Sequence, residues 1–259
     1  MYLIKIGGSV ITDKSEEESF KKQTMDDLSE ILKKTREKTI VVHGAGSYGH
    51  IPADKHRLHE GYREESQLEG FSETLHSVQK LNSLVLESLN EKEIKSVSLP
   101  PHNSIVFKEG SLDFFEYSFF EKYVQHGFTP VTFGDVVFDK DQVFSICSGD
   151  ILMEQLSYFF RPEKTVFVID EDGLYTSNPK KDKNAEFIDC ISVDELMNLS
   201  ASLDNHADVT GGMKGKIETI KNIAIHGIDV VLVNGNKPDR VYEALIGKKT
   251  VCTVVKGDK

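Results

Sequence analysis

Thr39-Ile40-Val41-Val42-His43-Gly44-Ala45-Gly46-Ser47-Tyr48-Gly49-His50 passes directly from a β-branched apolar run into a glycine-rich turn. An unbroken Thr-Ile-Val-Val run reads as a strand buried on both faces, the kind found in parallel sheets covered by helices. The same pattern recurs on either side. Tyr2–Ile6 reads as a strand ending in Gly7-Gly8, and Thr165–Ile169 as one running into Asp170-Glu171-Asp172-Gly173. Stretches of helical period separate these runs. Such alternation predicts βαβ units around a mostly parallel sheet, an α/β fold.

The remaining segments fill in that frame. Met25–Lys34 reads as a helix with Thr24 at its N-cap. Residues 51–66 are charged, histidine-rich and aperiodic, and read as a mobile surface segment able to act as a lid. Leu68, Phe71, Leu75, Val78, Leu81 and Val85 then fall on one face of a long helix. Ser96–Leu99 reads as a strand, and Phe114–Val124 as a helix closed by Gly127. Phe128–Phe133 and Val136–Phe138 read as strands, with Asp139–Gln142 turning the chain into Val143–Ile146. Ser148-Gly149-Asp150 caps a helix over Ile151–Phe160, and Ser192 with Glu195 forms a capping box before Val193–Leu199. Lys214–His226 reads as a helix and Asp229–Val233 as a strand; Pro238 opens and Gly247 closes the last helix, before a strand at Val251–Val255. The 259 residues suit a single domain, with a lobe boundary near Pro162 that divides it into residues 1–161 and 162–259.

Composition narrows the function classes. A net charge of −11 provides no basic excess for nucleic acid or an anionic membrane surface, so any anion site must be local. Cys147, Cys190 and Cys252 are widely spaced and form no CxxC pair; they read as reduced thiols of a cytoplasmic protein, without a zinc site. The N-terminus lacks the pattern of a signal peptide, and no apolar run approaches the roughly 20 residues that span a bilayer.

Glycine turns and lysines supply the chemistry. Gly7-Gly8, Gly44-Ala45-Gly46, Ser148-Gly149-Asp150 and Gly211-Gly212-Met213 each follow or precede a predicted element. Glycines at strand ends let backbone N–H groups approach phosphate oxygens, and ligands of open α/β sheets sit beyond those ends. Any one of them is also an ordinary tight connection. Lys5 inside an apolar strand is costly unless it pairs with an acid, leaves the strand end or faces an anion. Lys216, early in a helix, opposes the helix dipole unless a polyanion sits there. Two commoner nucleotide motifs fail. Gly44-x-Gly46-x-x-Gly49 lacks a second strand ending in an acid about 20 residues on; around Lys216, Thr210 and Ile217 occupy positions where a P-loop requires glycine and Ser/Thr.

Lys5-Ile6-Gly7-Gly8-Ser9, the run from His43 to His50, Ser148-Gly149-Asp150, Asp170-Glu171-Asp172-Gly173-Leu174-Tyr175 and Asp208-Val209-Thr210-Gly211-Gly212-Met213-x-x-Lys216 resemble, in order, the motifs of the amino acid kinase family. Within it the chain is most similar to isopentenyl phosphate kinases of archaeal type, mainly through the loop ending in His50. The resemblance covers the whole chain. It implies a three-layer αβα sandwich, ATP with Mg²⁺ as cofactors, isopentenyl phosphate as substrate, and a homodimer. By the same resemblance Lys5 and Lys216 hold the ATP phosphates, which the backbone of Gly7, Gly8 and Ser9 cradles. Lys14 meets the transferring phosphoryl group, and Asp150 orients the lysines. Ala45, Gly46, Gly49 and Gly149 line the acceptor side, where His50 binds the acceptor phosphate; Gly46 also borders the nucleotide. Asp170, Asp172, Gly173, Tyr175, Lys180 and Gly212 surround the nucleotide. Ile169-Asp170-Glu171-Asp172-Gly173 departs from the family's usual Thr-Asp-Val-Asp-Gly.

A phosphate monoester has a second pKa of about 6, so the acceptor oxygen is largely ionised near neutrality and needs no general base. The difficulty is bringing two polyanions together, which lysines, Mg²⁺, a histidine and backbone N–H groups address. Phe71, Leu75, Val78, Phe133 and Ile146 are candidates for an apolar tail pocket and equally for ordinary core. Other acceptors on the same fold, a non-catalytic binding protein and a dinucleotide-dependent oxidoreductase remain as alternatives.

Overall fold

The computed structural model describes residues 1–13, 15–204 and 211–258, the side chains of 200–204 and 211–214 excepted. In chain order the first half contains β1 (Tyr2–Ile6), α1 (Gly8–Ile11), α2 (Lys22–Thr35), β2 (Thr39–His43), α3 (Gly46–Lys55), α4 (Ser66–Glu91), β3 (Ser96–Ser98), β4 (Ile105–Lys108), β5 (Ser111–Phe115), α5 (Ser118–Gln125), β6 (Thr129–Phe133), β7 (Asp135–Asp139), β8 (Val143–Cys147) and α6 (Gly149–Phe160). The second half contains β9 (Lys164–Ile169), β10 (Leu174–Tyr175), β11 (Phe187–Ile188), β12 (Cys190–Ile191), α7 (Val193–Asp204), α8 (Gly211–Ile225), β13 (Val230–Asn234), α9 (Pro238–Leu245) and β14 (Thr253–Val255).

Eight strands form one sheet in the order β12-β14-β13-β9-β1-β2-β6-β3. β1 lies between β2 and β9 and is parallel to both, with Lys5 opposite Val42 and Phe167. β14 runs antiparallel to β13, so the sheet is mostly parallel. Alternation along β1 divides the core. Leu3 packs with Phe120, Met153 and Ile220, beneath α5, α6 and α8. Ile4 and Ile6 pack on the other face with Met25, Leu81 and Val241, beneath α2, α4 and α9. These are the three layers of an αβα sandwich. A second sheet, β5-β4-β7-β8, stands beside it. There Val136 and Phe144 bury against Ala53 and Leu58. Among the described residues no helix is long and apolar enough to cross a membrane.

Two capping signals hold. Ser148 Oγ accepts from the Ile151 N–H at 3.3 Å. Ser192 and Glu195 bond reciprocally, Ser192 N–H to Glu195 Oε2 at 2.8 Å and Glu195 N–H to Ser192 Oγ at 3.3 Å. Other expectations fail for physical reasons. Thr24 lies inside α2, which starts at Lys22 without a side-chain cap. The predicted helix over Phe114–Val124 is a strand followed by a shorter helix. Ile105 and Val106 pair antiparallel with Phe115 and Phe114, a distant partnership that the local period cannot reveal. Residues 51–55 continue α3 through Pro52. Gly46, Ser47, Gly49 and Ala53 make its buried face small rather than apolar, so it carries no hydrophobic period. Leu68 is exposed, and Gln67, Gly70 and Thr74 face inward in its place. Gln67 Nε2 donates to the carbonyls of His56 and Arg57, closing the connection between α3 and α4.

Candidate active site

The parallel strands β1, β2, β6 and β9 deliver their carboxyl ends to one cavity of about 740 Å³. Lys5 stands at its base. The strand alternation that places Leu3 under α6 and α8 points Lys5 the same way, 6 % exposed, with its ammonium 5.8 Å from the Phe167 ring centroid. Its Nζ donates to Asp150 Oδ1 at 2.5 Å. Asp150 occupies the first turn of α6, where the helix dipole favours an anion. Lys216 approaches the same oxygen at 3.8 Å from α8, one turn deeper in that helix than the sequence suggests.

Two lysines thus share one carboxylate. Burial and the nearby Lys216 charge pull the Lys5 ammonium down to about 8, against the pull of Asp150. Burial acts to raise the Asp150 carboxyl, but the two lysines overcome it and hold it below the usual carboxylate range. The cluster keeps a surplus positive charge in a desolvated place. A polyanion entering the cavity relieves that surplus, whereas a neutral ligand does not.

The glycine-turn residues meet here too. Gly7, Gly8 and Ser9 line the cavity, together with Ala45, Gly46, Gly49, His50 and Gly149. The first two glycine turns touch backbone to backbone. A Cβ on Gly8 would stand 2.5 Å from the Gly46 nitrogen, so no larger residue fits without moving one turn. Asp170, Gly173, Tyr175 and Lys180 also line the cavity, and Lys180 pairs with Glu171 at 2.5 Å. Asp172 does not line the cavity; its Oδ1 accepts from Asn234 at 2.8 Å and Arg240 at 2.7 Å. Gly212 lies in the backbone of α8. Lys14 and the run Asp208-Val209-Thr210 lie outside the described residues.

Of the tail-pocket candidates, Val78 and Ile146 line the cavity, joined by Ala53 and Val136. Phe71 and Leu75 pack beneath the second sheet, and Phe133 stacks on His43 at 5.2 Å. The sequence reading missed Gly134 and Ser177–Pro179, which also line the cavity. Gly134 directly follows β6, so the strand-then-glycine signal used elsewhere would have found it. Ser177–Pro179 carries no comparable signal.

His43 supports the turn Gly44-Ala45-Gly46. It is fully buried; its Nδ1 lies 3.1 Å from the Gly44 carbonyl oxygen and its Nε2 3.2 Å from Asn82 Oδ1, two acceptors that each favour a ring N–H. Burial lowers the imidazole to about 4, against its two hydrogen bonds. An unfolded histidine titrates near 6.5, so the unfolded chain binds the extra proton between these values. This contribution is complete above pH 6.5 and is lost as pH falls towards 4, amounting to about 3 kcal/mol. Denaturant unfolding across that window should show the decline, and His43→Gln should flatten it. An unchanged slope in the variant would assign the acid sensitivity elsewhere.

A cavity at the carboxyl ends of parallel strands, with glycine turns and a lysine–aspartate–lysine cluster, is built for phosphoryl transfer. The profile of the amino acid kinase family matches residues 1–234, and the chain belongs to that family. Within the family it is similar to isopentenyl phosphate kinases. The enzyme of that name from Methanothermobacter thermautotrophicus is 37 % identical over 266 residues, covering 99 % of each chain. A solved isopentenyl phosphate kinase superposes with a TM-score of 0.87 at 32 % identity, covering 99 % of this chain and 100 % of the other. The Thermoplasma acidophilum isopentenyl phosphate kinase product complex superposes with a TM-score of 0.83 at 28 % identity, with the same coverage. The chain is a phosphotransferase of this family.

Proposed function

We propose that this protein transfers the γ-phosphoryl group of ATP to isopentenyl phosphate, giving isopentenyl diphosphate and ADP. The observation that carries this reading is the cluster of Lys5, Asp150 and Lys216 at the base of a cavity whose acceptor wall ends in Val78, Val136 and Ile146. That wall suits a short hydrocarbon tail, and the cluster suits the phosphates beside it.

An acceptor phosphate oxygen attacks the γ-phosphorus, a new P–O bond forms, and the bond to the β-bridging oxygen breaks, leaving ADP. Lys5 and Lys216 neutralise charge on the β- and γ-phosphates, and Asp150 fixes both ammonium groups. The backbone of Gly7, Gly8 and Ser9 holds the same phosphates. Gly46 borders them and, with Ala45, Gly49 and Gly149, lines the acceptor site. His50, on the second turn of α3, hydrogen-bonds the acceptor phosphate. Lys14 meets the transferring group. Asp170, Gly173, Tyr175, Lys180 and Gly212 surround the nucleotide, while Asp172 acts indirectly by bracing that segment against Asn234 and Arg240. The acceptor thus falls to the lobe of residues 1–161 and the nucleotide mainly to that of 162–259, its phosphates reaching Lys5, Gly7, Gly8 and Ser9 of the first.

Mg²⁺ fits this site as a companion of ATP. Among the described residues no group of three or more His, Cys, Asp or Glu side chains could hold a metal ion. The nucleotide's own phosphate oxygens would therefore be its main ligands, as is usual for Mg²⁺ in kinase sites. When bound it adds charge neutralisation to that of the lysines. A cytoplasmic homodimer completes the reading.

A coupled ADP-release assay over a panel of acceptors tests it. Turnover should be greatest with isopentenyl phosphate. Clear turnover of UMP, a phosphonate or an amino acid, with none of isopentenyl phosphate, would replace this acceptor with another.

A further inference from the structure

We infer that Thr12 is a positioning residue that sets the distance between the donor and acceptor halves of the active site. Its side chain is completely buried just after α1. Its hydroxyl donates to the Gly8 carbonyl at 2.8 Å and accepts from the Ser47 N–H at 3.1 Å. Gly8 belongs to the turn proposed to cradle ATP, and Ser47 to the helix that carries His50. One oxygen atom therefore joins the two halves.

The bond to Gly8 alone would be unremarkable, since threonine hydroxyls often bond a carbonyl four residues back. The bond from Ser47 crosses 35 residues of sequence. It satisfies a first-turn N–H of α3, a group that has no partner within its own helix. Ala45, at the N-cap, supplies no side-chain acceptor. Thr12 thus caps α3 from another segment. Its side chain also fills the space beside Gly46, where an added Cβ would lie 2.3 Å from Thr12 Oγ1. Gly46 has φ +54, a conformation that glycine adopts without strain, so contact and backbone shape agree in requiring glycine.

Phosphoryl transfer is sensitive to this geometry, because the attacking oxygen must approach the γ-phosphorus in line with the leaving oxygen. Misplacement by about 1 Å can cost roughly 100-fold in rate. Loss of the hydroxyl frees the two turns to shift against each other while leaving the groups that contact each substrate intact. The inference rests on the kinase reading, and its test uses whichever acceptor the parent enzyme turns over, so failure of one is distinct from failure of the other.

Thr12→Val keeps the shape and removes the hydroxyl; Thr12→Ser keeps the hydroxyl and removes the methyl. Single-turnover transfer, both KM values, ATP hydrolysis without acceptor and Tm are measured for each. Thr12→Val should transfer about 10- to 100-fold more slowly, with both KM values within about threefold, acceptor-free hydrolysis unchanged and Tm close to the parent. Thr12→Ser should recover most of the rate. Equal losses in the valine and serine variants would overturn the inference, as would a fall in transfer matched by acceptor-free hydrolysis. Failure of both Thr12→Val and Thr12→Ala to fold would also overturn it, since the hydroxyl would then be a requirement of folding.

Discussion

Lys5→Met is expected to lower kcat by about 1000-fold while leaving the free protein at least as stable as the parent. The two effects have one cause. Lys5 holds its charge in a buried strand beside a second lysine, which pulls it from an ordinary 10.5 down to about 8. Below pH 8 that shift corresponds to about 3 kcal/mol against the folded state. The sign follows from proton binding: between 8 and 10.5 the unfolded chain holds the proton more tightly, so stability rises with pH through that window. Methionine has a similar shape and no charge. It leaves Asp150 paired with Lys216 at 3.8 Å, so no carboxylate is stranded. Catalysis suffers instead, because preorganised charge at a transferring phosphoryl group is worth about 100- to 1000-fold or more. Thermal unfolding with and without ATP separates the effects. The parent should be strongly stabilised by ATP and the variant hardly at all. A variant with lower Tm and normal kcat would make Lys5 a structural residue.

His50→Ala should act on the other substrate. His50 lines the cavity from α3, one turn before Ala53 of the apolar wall. A hydrogen bond to a charged group contributes about 1.5–3 kcal/mol, so kcat/KM for the acceptor should fall about 10- to 100-fold. KM for ATP should stay within about threefold. His50→Gln, which keeps a donor, should recover part of the loss. Equal increases in both KM values would place His50 outside the acceptor site.

The central sheet was legible because β1, β2, β9 and β13 are mostly apolar, β-branched runs, β1 interrupted by Lys5, each ending in a turn signal. Much of the site was legible for a related reason: glycine beside a strand end marks where backbone must come close to something. The second sheet was obscured because Ser111–Phe115 owes its strand form to Ile105 and Val106 rather than to its own period. Helix α3 was hidden by its packing, since a helix pressed against a glycine turn needs small residues where a hydrophobic stripe would otherwise be. The motif resemblance makes Asp172 a nucleotide neighbour. Its partners Asn234 and Arg240 lie more than 60 residues away, beyond the reach of any local pattern. Thr12 escaped notice for the same reason, because its importance lies in a bond to Ser47.

A phosphoryl group that passes from ATP to the phosphate of a small acceptor held against an apolar wall must leave a new diphosphate. Phosphorus NMR of the enzyme with ATP, Mg²⁺ and isopentenyl phosphate tests it directly. The monoester signal should be replaced by a coupled diphosphate pair in step with ADP. ADP appearing with inorganic phosphate, while the isopentenyl phosphate signal stays unchanged, would contradict it.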